Sequence, residues 1–149
     1  MILGDLPEFG IQFDVLTSSD IWRFGSFNFI IDDTFIPGTG TNWTLNSAFA
    51  SLKFTEQDFS DAFKNDFTLE TAHELYFLAK SHSGQNGKDF IELDITELSD
   101  TGLELFLFSD ISHERLIYTT NAGITIYEKR LPKWTVMNVL KDLPSISSI

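Results

Sequence analysis

The sequence contains no cysteine. That removes a disulfide framework, a thiolate zinc site and a cysteine nucleophile together, and it suits a reducing compartment. Basic residues are scarce too, with 10 Lys and Arg against 22 Asp and Glu. A protein that holds nucleic acid needs a basic footprint, and an anionic membrane surface asks for the same. The charge balance argues against both. Long apolar runs are also missing. The longest uncharged stretch, Thr34 to Leu52, is broken by Pro37, Gly38 and Gly40 and cannot span a bilayer. The first residues, Met1 to Glu8, lack a basic n-region and meet acids at once, so they do not read as a signal peptide. The expected location is the cytoplasm.

What is present is acid and phenylalanine. The net charge is −12 over 149 residues, whereas solubility asks for a magnitude of only about 2–8 in a small domain. Self-repulsion at that charge costs stability, so a use for it is expected, and a basic partner is the natural one. The charge is uneven: residues 1–114 carry 20 acids and 5 bases, and residues 115–149 carry 2 acids and 5 bases. Of 15 Phe, 12 precede residue 78, which reads first as a Phe-rich core. The length fits one domain, residues 1–149, large enough to bury a core unaided.

Periodicity predicts the elements. Phe9, Ile11, Phe13 and Val15 alternate as in a half-buried strand. Trp22 to Ile31 is strand-like, and a bulge near Gly25–Ser26 would bring Trp22, Phe24, Phe27, Phe29 and Ile31 onto one face. Asp32-Asp33 turns the chain into Thr34–Ile36, and Pro37 to Gly40 ends that strand. Leu45, Ala48, Phe49 and Leu52 recur at helical spacing behind Thr44 or Asn42 as cap. Thr55 with Asp58 resembles a capping box opening a short helix with Phe59 and Phe63. Leu69 to Lys80 reads as a helix capped by Thr68, and Ser83 to Gly87 as a loop. Strands follow at Phe90–Ile95, Leu103–Phe108, Leu116–Thr120 and Ile124–Tyr127, the last two joined by a turn at Asn121–Gly123. Pro132 opens a closing helix with Val136, Val139, Leu140 and Leu143 as its stripe. Strands joined by short turns pair antiparallel. The class is α+β, an antiparallel sheet with helices packed on one face.

The catalytic patterns fail on particular residues. His73-Glu74 begins a zinc-protease helix, but position 77 is Phe where a second His must stand. Gly38-Thr39-Gly40 lacks the lysine of a phosphate loop, and Gly84-x-x-Gly87-Lys88 lacks its leading glycine and its Ser or Thr. No Gly-x-Ser-x-Gly elbow is present, and Asp110 has no calcium-loop spacing around it. Acid pairs such as Asp32-Asp33 and Asp94 with Glu97 are frequent, as chance dictates among 22 acids. No catalytic residue, metal ligand or cofactor is assigned.

One acidic run has more content. Glu56, Asp58, Asp61, Asp66, Glu70 and Glu74 fall on two consecutive helices and their connector, interrupted only by Lys64. Part of this is helix capping, because a helix N-terminus favours anions. The rest makes a negative surface of the kind that speeds association with a cationic protein. Trp43, in an uncharged loop, joins these acids as a candidate contact, because tryptophan is enriched at interface hot spots.

The opening Met1-Ile-Leu-Gly-Asp5, leading to Phe9-x-Ile11-x-Phe13 and then Trp22-x-Phe24-Gly25-x-Phe27, resembles the N-terminal pattern of immunity proteins from bacterial polymorphic-toxin and contact-dependent inhibition systems, in particular immunity family 42. The closing segment, Arg115-Leu-Ile to Ile124-x-Ile-x-Glu128, then Leu131-Pro132 and a last helix, is similar in style. The resemblance covers about the first 35 residues and more loosely the last 35; residues 37–100 match no named pattern. It implies a protein that neutralises a cognate toxin, often a basic nuclease, and needs no cofactor and no catalytic residues. Two other classes stay open on the residues alone. One is an acidic inhibitor that mimics DNA. The other is a small enzyme with an unrecognised carboxylate site, which would need convergent acids of perturbed pKa in a deep pocket.

Overall fold

The computed structural model describes residues 1–5, 8–40, 42–82 and 89–149. The predicted loop Ser83–Gly87 lies outside them. The first half of the chain is a twisted meander: β1 (Ile2–Asp5), β2 (Phe9–Ser19), β3 (Trp22–Ile31) and β4 (Thr34–Ile36), with the short β5 (Trp43–Thr44) also on β3. Three helices follow, α1 (Leu45–Ser51), α2 (Glu56–Ala62) and α3 (Ala72–Ser81). The second sheet holds β6 (Ile91–Glu92), β7 (Glu104–Ser109), β8 (His113–Thr119) and β9 (Tyr127–Pro132) in that order, with α4 (Thr96–Ser99) inserted before β7. Helix α5 (Thr135–Leu140) and a 3-10 turn (Ile146–Ser148) close the chain. Every pairing is antiparallel. The class is α+β, and the strands divide between two sheets.

Alternation on the strands explains the layers. Phe9, Ile11 and Phe13 of β2 join Phe27, Phe29 and Ile31 of β3 in the main core, with Leu105 and Leu107 of β7, Leu116 of β8, and buried residues of α1, α2, α4 and α5. The opposite parity of the second sheet, Phe106, Phe108 and Ile117, receives Leu75, Tyr76 and Ala79 of α3. So α3 covers one face of the second sheet, and the main core fills the other.

Several boundaries differ from the sequence expectation for physical reasons. The bulge sits in β2, not β3: the register jumps between Val15 and Thr17 while β3 runs on unbroken. Phe27, Phe29 and Ile31 are therefore buried, but Phe24 is half-buried and Trp22 exposed. Gly25 lies opposite the jump, where a Cβ would stand 1.8 Å from the Asp14 carbonyl oxygen. Of the predicted strand Phe90–Ile95 only Ile91–Glu92 forms the strand β6, with a further bond from Leu93 N–H to Leu105 O at 3.0 Å, although Phe90, Leu93 and Ile95 are buried. The turn at Asn121–Gly123 exists, but pairing resumes only at Tyr127, opposite Tyr118. Thr119 Oγ1 accepts from the N–H groups of Asn121 and Gly123, which stabilises that wider loop. Pro132 ends β9 rather than opening α5, because Trp134 adopts a left-handed conformation (φ 70°) between them.

Candidate partner-binding surface

Thr55 caps α2, with its hydroxyl accepting from Asp58 N–H at 3.1 Å while the Asp58 carboxylate accepts from Thr55 N–H at 2.8 Å. Thr71, not Thr68, caps α3 in the same way, with Glu74 as its reciprocal partner. The Thr68 hydroxyl instead donates to Asp66. Leu69, expected on the helix stripe, is 91% exposed.

The reason is Arg115. Its guanidinium pairs bidentately with Glu128 at 2.9 and 2.7 Å. Its Nη1 donates to the carbonyls of Phe67 and Glu70 at 2.7 and 2.6 Å. Those carbonyls are thus turned to the second sheet and cannot begin a helix. Phe67 N–H donates to Ser109 O at 3.0 Å, and Ser109 Oγ reaches Asn65 O at 3.3 Å. The connector between α2 and α3 is a non-helical strap of turns and bends fastened to β7 and β8. The Glu128 carboxylate raises the Arg115 pKa further against the opposing effect of burial.

The six acids of the run occupy this one helix–strap–helix segment, but their freedom differs. Glu56 is exposed and makes no hydrogen bond or ion pair among the described residues. Asp61 accepts from Gln57 at 2.8 Å and pairs with Lys64 at 3.1 Å, and both hold its carboxyl below the ordinary range. Asp58 and Glu74 are capping residues, and Asp66 holds Thr68. Glu70 is half-buried, with Oε2 enclosed and unpaired. Trp43 lies elsewhere, on β5 against Gly25. It is half-buried against the main core, and its enclosed Nε1 has no partner.

The structure adds residues that spacing did not reveal. Arg115 appears in the sequence only as the first residue of the closing pattern, between Glu114 and Leu116. Phe63, the C-cap of α2, meets Trp134 in a tilted ring contact at 5.4 Å, with 48° between the planes, and Lys133 Nζ lies 5.7 Å over the Phe63 ring.

Elsewhere, a recess of about 340 Å³ is lined by Glu92, Asp94, Glu104 and Lys80 above Leu105 and Phe106. Glu104 accepts from Tyr76 Oη at 2.8 Å and Lys80 at 2.7 Å, and Asp94 accepts from Ser99 at 2.5 Å. Burial, then the Glu104 contact, pushes the Tyr76 phenol up to about 12. Among the described residues, no group of three or more His, Cys, Asp or Glu could hold a metal ion, and no helix is long and apolar enough to cross a membrane.

Comparison with known proteins bears on the whole chain. A family model described as immunity protein 42 matches residues 1–146. An uncharacterised protein of Pasteurella multocida (strain Pm70) is 28% identical over 169 residues, covering 98% of this chain and 100% of its own length. The crystal structure of CdiI from Burkholderia dolosa AUO158 is similar with a TM-score of 0.70 and 18% identity, over 95% of this chain and 97% of that one. At that identity the likeness concerns the fold.

Proposed function

The chain belongs to the immunity protein 42 family, and from that premise we propose that it neutralises a basic, nuclease-type toxin by binding it through the acidic α2–strap–α3 surface. The match over residues 1–146 carries the neutralising role. The surface is argued from charge and rigidity. A toxin that acts on nucleic acid presents a basic face to hold phosphates. A fixed negative surface speeds encounter with such a face and selects against acidic proteins. Caps at Thr55 and Thr71 and the Arg115 clamp hold the segment in place before binding, which lowers the entropy lost on association. The reading assigns no catalytic step and no cofactor to this chain, and it places the protein in the cytoplasm of the toxin-producing cell.

The test is association with the cognate toxin domain, sought in the product of the gene immediately upstream. Glu56 and Asp61 are the acids to reverse, because neither caps a helix nor is buried. Glu56→Lys with Asp61→Lys should keep the fold and slow association at least tenfold at 20 mM salt, with the gap closing at 500 mM salt. A wild-type chain that neither binds nor protects cells from that toxin would refute the reading. An unchanged rate in the double variant would move the interface elsewhere.

A further inference from the structure

We propose that Trp134, seated on Phe63, is the apolar anchor of the toxin-binding surface, with the acids of α2 as its charged rim. The inference rests on the reading of the chain as a toxin-binding protein and names a residue that the acidic run does not include. Phe54 meets Phe59 at 5.9 Å, Phe59 meets Phe63 at 5.9 Å, and Phe63 meets Trp134 at 5.4 Å. Phe59 is fully buried and Trp134 is 37% exposed. The row therefore leads from the core to the surface and ends on a partly exposed indole.

The backbone at Trp134 sharpens the point. Its φ of 70° and ψ of 7° lie in the left-handed region, which favours Gly or Asn and is an outlier for a bulky side chain. A junction between β9 and α5 needs the conformation, not the indole. Strained residues of this kind gather at binding sites, where the surrounding structure holds them in place. Leu69, Phe77, Ile111 and Ile124 are more exposed, but none of them has a left-handed backbone. Tryptophan supplies large rigid area at low entropic cost and is enriched among residues that carry binding energy.

The occupant follows from the charge of the helix that ends at Phe63. Helix α2, whose C-cap is Phe63, carries Glu56, Asp58 and Asp61, so the partner that covers the indole is the basic face of the toxin domain. Two bases stand at this end of α2: Lys133 lies over Phe63, and Lys64, next to Phe63, pairs with Asp61. An arginine stem or aliphatic side chain from the toxin would cover the indole while its basic neighbours meet the rim.

Trp134→Gly is the decisive variant, because glycine takes φ 70° without strain and removes only the indole. Binding of the upstream-encoded toxin domain should weaken at least tenfold through faster dissociation, with thermal stability close to wild type and the low-salt association rate unchanged. Trp134→Phe, which keeps a ring on Phe63, should recover most of the affinity. If Trp134→Gly binds as tightly as wild type, the anchor is refuted while the acidic surface stands. The same conclusion follows if the wild-type chain alone forms a dimer that Trp134→Gly abolishes, since the indole would then serve a second copy. If wild type does not bind the toxin at all, both readings fall.

Discussion

Glu114 opposes folding at neutral pH. It is fully buried on β8, beside Leu131 of β9 and Ser109 of β7. Neither carboxylate oxygen has a hydrogen-bond partner. Burial pushes its pKa to about 7, against partial relief from the N–H groups of residues 134 to 136, which point toward it without full bonding geometry, and from Lys133. The folded chain holds this proton more tightly than the unfolded chain, where the group titrates near its ordinary 4.5. Stability is therefore fully present below pH 4.5 and declines as pH rises through about 7. Movement from 4.5 to about 7 corresponds to roughly 3 kcal/mol. Glu114→Gln should remove the decline and gain on the order of 2 kcal/mol at pH 8. Urea melts of both proteins between pH 5 and 8 would show it, and parallel curves would refute it. Asp110 has the opposite sign: burial pushes it up, but the N–H groups of Ser112 and His113 and the charges of Arg130 and His113 outweigh that and hold it low. Its contribution is present at neutral pH and is lost only as pH falls below 3.8.

At the scale of elements, the strap between α2 and α3 depends on one side chain. Arg115→Ala would leave the half-buried Glu128 without its partner and two carbonyls without donors, at a cost of about 3 kcal/mol. Arg115→Lys should recover little, because an ammonium cannot match a bidentate carboxylate and two carbonyls together. The local readout is the Phe67 amide, which donates to Ser109 O. Its hydrogen exchange should speed up in Arg115→Ala far more than that of amides in the middle of β2. Equal acceleration throughout would mean that Arg115 contributes only to global stability. The capping boxes show how legible local structure was. Thr55 with Asp58 was readable because the motif is contiguous. The start of α3 was misread at Thr68 because Arg115, 45 residues away from Glu70, turns the strap's carbonyls aside.

Across the whole molecule, the uneven charge has a structural use. The bases of β8 and β9 are consumed internally: Arg115 by Glu128, Lys129 by Asp32 and Glu8, and Arg130 by Asp110. Lys129 thereby ties the second sheet to the β3–β4 turn, and the Asp32 contact holds its pKa up. Three of the five C-terminal bases are thus paired, Arg115 and Arg130 within the second sheet and Lys129 across to the first, while Lys133 and Lys141 form no ion pair among the described residues. The acids that remain repel one another. Raising NaCl from 10 to 200 mM shortens the screening length from about 30 Å to below 10 Å and should raise the melting temperature by ~3 °C or more. A fall would mean that the internal pairs outweigh the net repulsion.

The sequence by itself determined the class, the acidic bias, the phenylalanine core and the contiguous caps, because each follows from composition or from residues a few positions apart. It also carried the family resemblance, since the Phe9-x-Ile11-x-Phe13 and Trp22–Phe27 patterns are local. Only the tertiary structure decided that the strands form two sheets, that the bulge falls in β2, that Arg115 fixes the strap and that Trp134 meets Phe63. Each of these depends on residues distant in the chain, and no periodicity records which distant partners meet.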